Sequence, residues 1–152
     1  MMPISALSLT LSPLLFLQLQ EDAALSGVRD SDIYVTPDEQ FIPSGVKFPC
    51  IAIKDGAIEN AWSTNLKYYQ RLQVRVASFV QIMKPEDSIM SDQGILELEE
   101  LVVESLVNNE LGLSGIDYAF VIRQEASEMF GDETQMIQKK TAVFEYGREE
   151  SL

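Results

Sequence analysis

Apolar and polar residues alternate with period two between Tyr69 and Gln81. Leu72, Val74, Val76, Ser78 and Val80 form one set; Arg71, Gln73, Arg75, Ala77 and Phe79 form the other. Successive side chains of a strand point to opposite faces. The pattern predicts a strand with a core face and a more polar face that carries two arginines. Beyond Lys84-Pro85-Glu86-Asp87, which breaks the run, the period changes. Ile95, Leu98, Leu101, Val102, Ser105 and Leu106 recur at helical spacing and predict a helix from about Asp92 to Asn109. Ser91 or Asp92 can cap it, Gly112 and Gly115 bracket its exit, and Glu97, Glu99, Glu100 and Glu104 are expected to face water.

The remaining elements follow from punctuation. Ser12-Pro13 reads as a helix start, because serine caps well and proline suits the first helical position. That helix is predicted from about Pro13 to Leu25, ending near Gly27. Residues 1–11 precede the cap as an N-terminal arm, a short strand or an extra turn, and the pattern does not choose among these. Ile33-Tyr34-Val35 is a short strand closed by Thr36-Pro37, and Pro37 to Lys47 reads as a loop. Cys50 to Ile53 is strand-like, and Asp55-Gly56 is a turn signal. Strand candidates at Asp117–Glu128 and Gln135–Tyr146 flank Gly131-Asp132-Glu133 and should pair as an antiparallel hairpin.

Helix, strands, helix and hairpin in that order imply an α+β fold: a mostly antiparallel sheet with two main helices on one face. The length, 152 residues, fits a single domain over 1–152. With 46% hydrophobic residues the chain can bury a core without disulfides or metal.

Charge and the rarer residue types remove several function classes. The net charge of -13, from 24 Asp+Glu against 11 Lys+Arg, opposes binding along a phosphate backbone and favours solubility. There is no histidine, so Ser-His-Asp and Cys-His arrangements are absent, and so is the commonest general base. Carboxylate pairs such as Glu99-Glu100, or Glu125 with Glu128, read as solvated groups. Cys50, the single cysteine, sits in an apolar run and reads as a buried structural thiol. No Cys/His cluster exists for zinc; Asp30, Asp32 and Asp38 lack the spacing of a calcium loop and read as turn-capping groups. Neither a Walker A nor a GxGxxG motif is present. No catalytic residue, cofactor or metal is expected. The apolar stretch Ala6–Leu19 lacks a basic flank and is too short and polar for a membrane span, so a cytoplasmic, non-membrane protein is expected.

Interaction surface remains. Arg71, Gln73 and Arg75 share one stripe, and Lys139-Lys140 is the other local basic feature. A solvated edge or an inter-subunit ion pair explains them better than nucleic acid, which would call for more basic residues and an aromatic platform. Phe79, Tyr68 and Tyr69 on or beside the outer strand face suggest a second packing layer or a partner. An obligate oligomer fits a chain of this size.

The ordered segments resemble the tail terminator (tail completion, or minor tail) proteins of long-tailed bacteriophages. Leu19–Val28 looks like the end of that family's first helix, and Asp32–Pro37 like its short strand ending in proline. Phe48–Gly56 looks like the strand reached through a proline. Arg71–Ser78 is similar to the long central strand, Gly94–Leu111 to the second helix and Ala142–Tyr146 to the final strand. Residues 1–11 and Gly131-Asp132-Glu133 have no match.

The resemblance implies a non-catalytic virion protein of the tail or neck, assembled in the host cytoplasm. It implies a homohexameric ring that caps the head-proximal end of the tail tube. The partners would be other copies of the chain, the tail tube protein and the head-tail connector protein. Genomic DNA would pass the lumen without specific binding, and an acidic ring suits that because it does not trap phosphate. Arg71, Gln73, Arg75, Lys139 and Lys140 are then candidates for contacts between subunits. The hairpin tip from Met129 to Thr134, with Phe130, Asp132 and Glu133, would face the lumen or the tube. Alternatives are another phage neck or head-tail adaptor protein, a small-ligand-binding α+β enzyme domain, and a monomeric regulator.

Overall fold

In the computed structural model, the described residues are 4–22, 25, 27–64, 66–82, 94–107, 109, 111, 116–132 and 135–151. They form helix α1 (Ile4–Glu21), a short 3-10 turn (Asp30–Asp32), and strands β1 (Ile33–Val35), β2 (Cys50–Thr64) and β3 (Lys67–Ile82). Helix α2 (Ile95–Leu106) and strands β4 (Tyr118–Gln124), β5 (Glu128–Asp132) and β6 (Gln135–Ser151) complete the chain. The six-stranded sheet runs β1-β2-β3-β6-β4, with β5 also paired to β6 on the β4 side. All pairs are antiparallel except β1 with β2. The fold is α+β with both helices on one face, as the pattern predicts.

The alternation of β3 sets the two faces. Leu72, Val74 and Val76 lie beside Tyr146, Phe144 and Ala142 of β6 and meet both helices. Leu11, Leu15 and Leu19 recur every fourth residue on α1, and Ile95, Leu98, Val102 and Leu106 form the stripe of α2; all are buried. On the reverse face, Cys50, Ala52, Ala77, Phe79 and Ile137 form a smaller cluster. The loop between β1 and β2 covers it through Ile42, Val46 and Phe48, and Phe130 packs edge-on against Phe79, 6.2 Å between ring centres. Phe79 therefore belongs to a second packing layer.

Several boundaries differ from the pattern. Helix α1 starts at Ile4 and contains Pro13, so the described part of the segment read as an arm, strand or turn, residues 4–11, is helical. Leu11, before Pro13, shares the core with Leu15. The helix also ends at Glu21, short of the expected Leu25. Asp55-Gly56 makes no turn. β2 passes through it with a register shift between Asp55 and Ile58 and continues to Thr64. Gly56 lies so close to Gln73 that an added Cβ would come within 2.9 Å of the Gln73 Cβ and carbonyl oxygen. The glycine thus serves a bulge and close backbone approach.

Helix α2 is shorter than expected and has Gly94 at its N-cap. The predicted cap residues Ser91 and Asp92, the breaker Lys84–Asp87, and Gly112 and Gly115 lie outside the described residues. Met129 to Asp132, read as a hairpin tip, is strand β5; the expected single strand 117–128 is divided by Glu125-Ala126-Ser127.

Candidate assembly surface

The reverse face carries the charged residues singled out in the sequence, because β3 and β6 alternate in register. Arg71, Gln73 and Arg75 stand opposite Gly147, Glu145 and Val143. Arg75 is the hub. Its guanidinium donates to both carboxylate oxygens of Glu39 at 2.8 and 3.0 Å and to Glu125 at 2.7 Å. Its hydrogen bonds to Glu39 hold it still more firmly protonated. Lys139, 3.3 Å from Glu39, joins the same cluster. Burial raises the Glu39 carboxyl, but Arg75 and Lys139 outweigh it and hold the group below the usual carboxylate range. The cluster thus ties the β1–β2 loop and the bend after β4 to the middle of the sheet. Asp32 and Asp38 cap turns as expected. Buried Asp32 accepts two bonds from Arg29 and one from the Lys47 amide; Asp38 accepts from the Gln40 amide.

The two adjacent lysines part company. Strand alternation sends Lys140 to the helix side, where its Nζ lies 3.1 Å from Glu99 Oε2 and donates to the Glu125 carbonyl at 2.8 Å. Glu99 is 2% exposed, which corrects the expectation that it faces water. A signal for this existed: Glu99 lies four residues after Ile95 and three before Val102, on the apolar stripe. Burial pushes its carboxyl up against the opposing pull of Lys140, and its other oxygen has no partner.

Of the candidate contact residues, Arg71 is half exposed and only 3.9 Å from Glu59, a weak surface pair. Met129 is exposed on β5, and Phe130 is partly buried against Phe79. Arg75, Lys139 and Lys140 are engaged within the chain. Glu133, Thr134 and the side chain of Asp132 lie outside the described residues.

Large apolar side chains stand exposed along the margins of the sheet, which the sequence reading missed. Ile58 and Trp62 project from β2, Leu66 from the turn after it, Phe120 from β4 and Met129 from β5; Trp62 is 73% and Leu66 70% exposed. A cavity of about 490 Å³ opens at the far end of β3 beside α2. Among the described residues, Leu25, Val28, Phe48, Val80, Leu98 and Leu101 line it, together with the polar side chains of Gln81 and Glu97. Among the described residues, no helix is long and apolar enough to cross a membrane.

No protein-family model matches the chain, and no curated protein matches it. A solved chain described as "Virion of native gene transfer agent (GTA) particle" shares the fold with a TM-score of 0.61. It is 14% identical, and the alignment covers 90% of this chain and 92% of that one. The likeness therefore extends over nearly the whole of both chains and shows a common fold.

Proposed function

We propose that this protein is a structural component of a phage-like virion, a tail terminator that closes the head-proximal end of the tail tube as a ring and joins the tail to the head connector. The observation that carries the reading is the fold shared, nearly end to end, with a chain of a gene transfer agent virion. Its order of elements also follows the terminator-like segments quoted above. The role is geometric and non-enzymatic. Identical copies repeat one heterologous contact around an axis, and six of them close the ring. The tail tube protein lies on one side and the connector protein on the other. The net charge of -13 keeps the lumen from holding the duplex as it passes, since phosphate contacts need clustered cations. Arg71, Gln73, Met129 and Asp132 are assigned to contacts outside the chain. Arg75, Lys139 and Lys140 support them by fixing the sheet.

Negative-stain imaging tests the reading. Purified protein, alone and mixed with isolated tail tubes, is expected to give rings and capped tubes. Binding to portal-bearing heads with no binding to tubes would replace the terminator role by that of a head-tail adaptor. Particles that remain single with both partners would remove the ring altogether.

A further inference from the structure

The sheet has two open sides that run in opposite directions. β2, β3, β6 and β4 are successively antiparallel, so β2 and β4 point opposite ways. β1 covers β2 only at Ile51–Ile53, and among the described residues no strand lies outside β2 beyond that point or outside β4. Irregularities bound the regular stretch on each side. The shifts at Asp55/Ile58 and Trp62/Thr64 leave Ile58–Trp62 straight on β2, and the shift at Val121/Arg123 leaves Tyr118–Val121 straight on β4. No proline interrupts either stretch. Unpaired backbone N–H and C=O groups on such a side form a template for another strand, and natural monomers blunt them with charge or proline. Here they carry Ile58, Trp62 and Phe120, all exposed.

We propose that Ile58–Trp62 of one copy pairs antiparallel with Tyr118–Val121 of the next, so that the sheet continues from subunit to subunit. This rests on the ring reading above and names its contact. A second copy fits because it supplies the complementary side in the same orientation. The subunit needs no inversion, the new pair is antiparallel like its neighbours, and the helix-covered face stays on one side throughout. Repetition around an axis would pair the Ile58–Trp62 and Tyr118–Val121 stretches of every copy. Charge agrees: Glu59 and Arg123 both stand on the face away from the helices, both more than half exposed, on opposite partners of the contact.

Disulfide trapping on the full chain tests this. Ala61 and Phe120 share the open face, as does Glu59 one register step away. Ala61→Cys and Glu59→Cys are each mixed with Phe120→Cys under mild oxidation. Covalent dimers in at least one mixture, and none from any single variant, are expected. A chain with both cysteines should give a ladder that stops at the ring size. Separately, Arg123→Glu should lose assembly and Glu59→Arg in the same chain should restore it. Rings in negative stain without any bond in either mixture overturn the pairing and leave the ring standing. A bond formed by one single variant with itself means a two-fold contact and also overturns it. Single particles and no bond, even with tail tubes supplied, overturn pairing and ring together.

Discussion

The two faces of the sheet are held by different forces. On the helix side, α1 and α2 bury a continuous apolar cluster against β2, β3 and β6, into which the ion pair of Glu99 with Lys140 is set. On the reverse side a loop with little regular structure covers a small apolar patch, and a cluster of charged groups around Arg75 secures it. A helix can present a whole stripe of side chains and anchors by area. A loop cannot, so directional charge-assisted bonds do the anchoring there. The helix side should therefore govern global stability, and the reverse side local opening.

Truncation of Phe144 on the helix side should have the largest effect. Phe144→Ala removes a fully buried ring and is expected to cost roughly 3–5 kcal/mol. Urea unfolding followed by circular dichroism measures it, and a cost below about 1 kcal/mol would contradict the division drawn here. Arg75→Ala comes next. It leaves Glu39 and Glu125 without their main donor, at a cost of about 1–3 kcal/mol. Amide exchange in residues 36–49 should accelerate much more than exchange in α2, since the loop loses its tie and the helix does not. Equal acceleration in both would show that the faces are coupled.

A smaller effect is expected at Gly147 on the reverse face. Its neighbour Tyr118 lays its ring over the glycine and donates to Glu145 at 2.8 Å. Gly147→Ala would push the ring aside and lose that bond, for about 1 kcal/mol. Loss of the contact can be followed by the tyrosine signal in near-ultraviolet circular dichroism.

Acid should separate the faces by sign. Glu39 is held below the usual carboxylate range, so its stabilisation is present above its unfolded pKa and is lost as pH falls through the folded value. Glu99 is raised by burial, so its contribution is present below its unfolded pKa and is lost as pH rises through the folded value. As pH falls below the usual carboxylate range, the 36–49 loop should lose protection while α2 retains or gains it. Hydrogen exchange corrected for intrinsic rates tests this, and loss of protection in α2 first would reverse the assignment.

The parts legible in the sequence were those with a local cause. Period two gave β3, period 3.6 gave α2, and the α+β class followed from their order. The parts that escaped depend on residues distant along the chain. Asp55-Gly56 looks like a turn until Gln73 is placed against Gly56. Ser12-Pro13 looks like a beginning until Leu11 is seen in the same core as Leu15. Lys139 and Lys140 look like one basic spot until their strand sends them to opposite sides. Glu39, 36 residues from Arg75, carried no local mark. The exposed apolar side chains along the margins of the sheet could not be told from core residues until the sheet order fixed where those margins lie.

Cys50 turns this arrangement into an internal gauge. The thiol is fully buried beneath the loop, and burial, followed by the charge of Asp32, pushes it up to about 12. A thiol so protonated and enclosed reacts with neither oxidant nor alkylating reagent while the cover is shut. Because it is the sole sulfhydryl in the chain, the rate at which a bulky maleimide labels the unaltered protein counts how often the cover lifts.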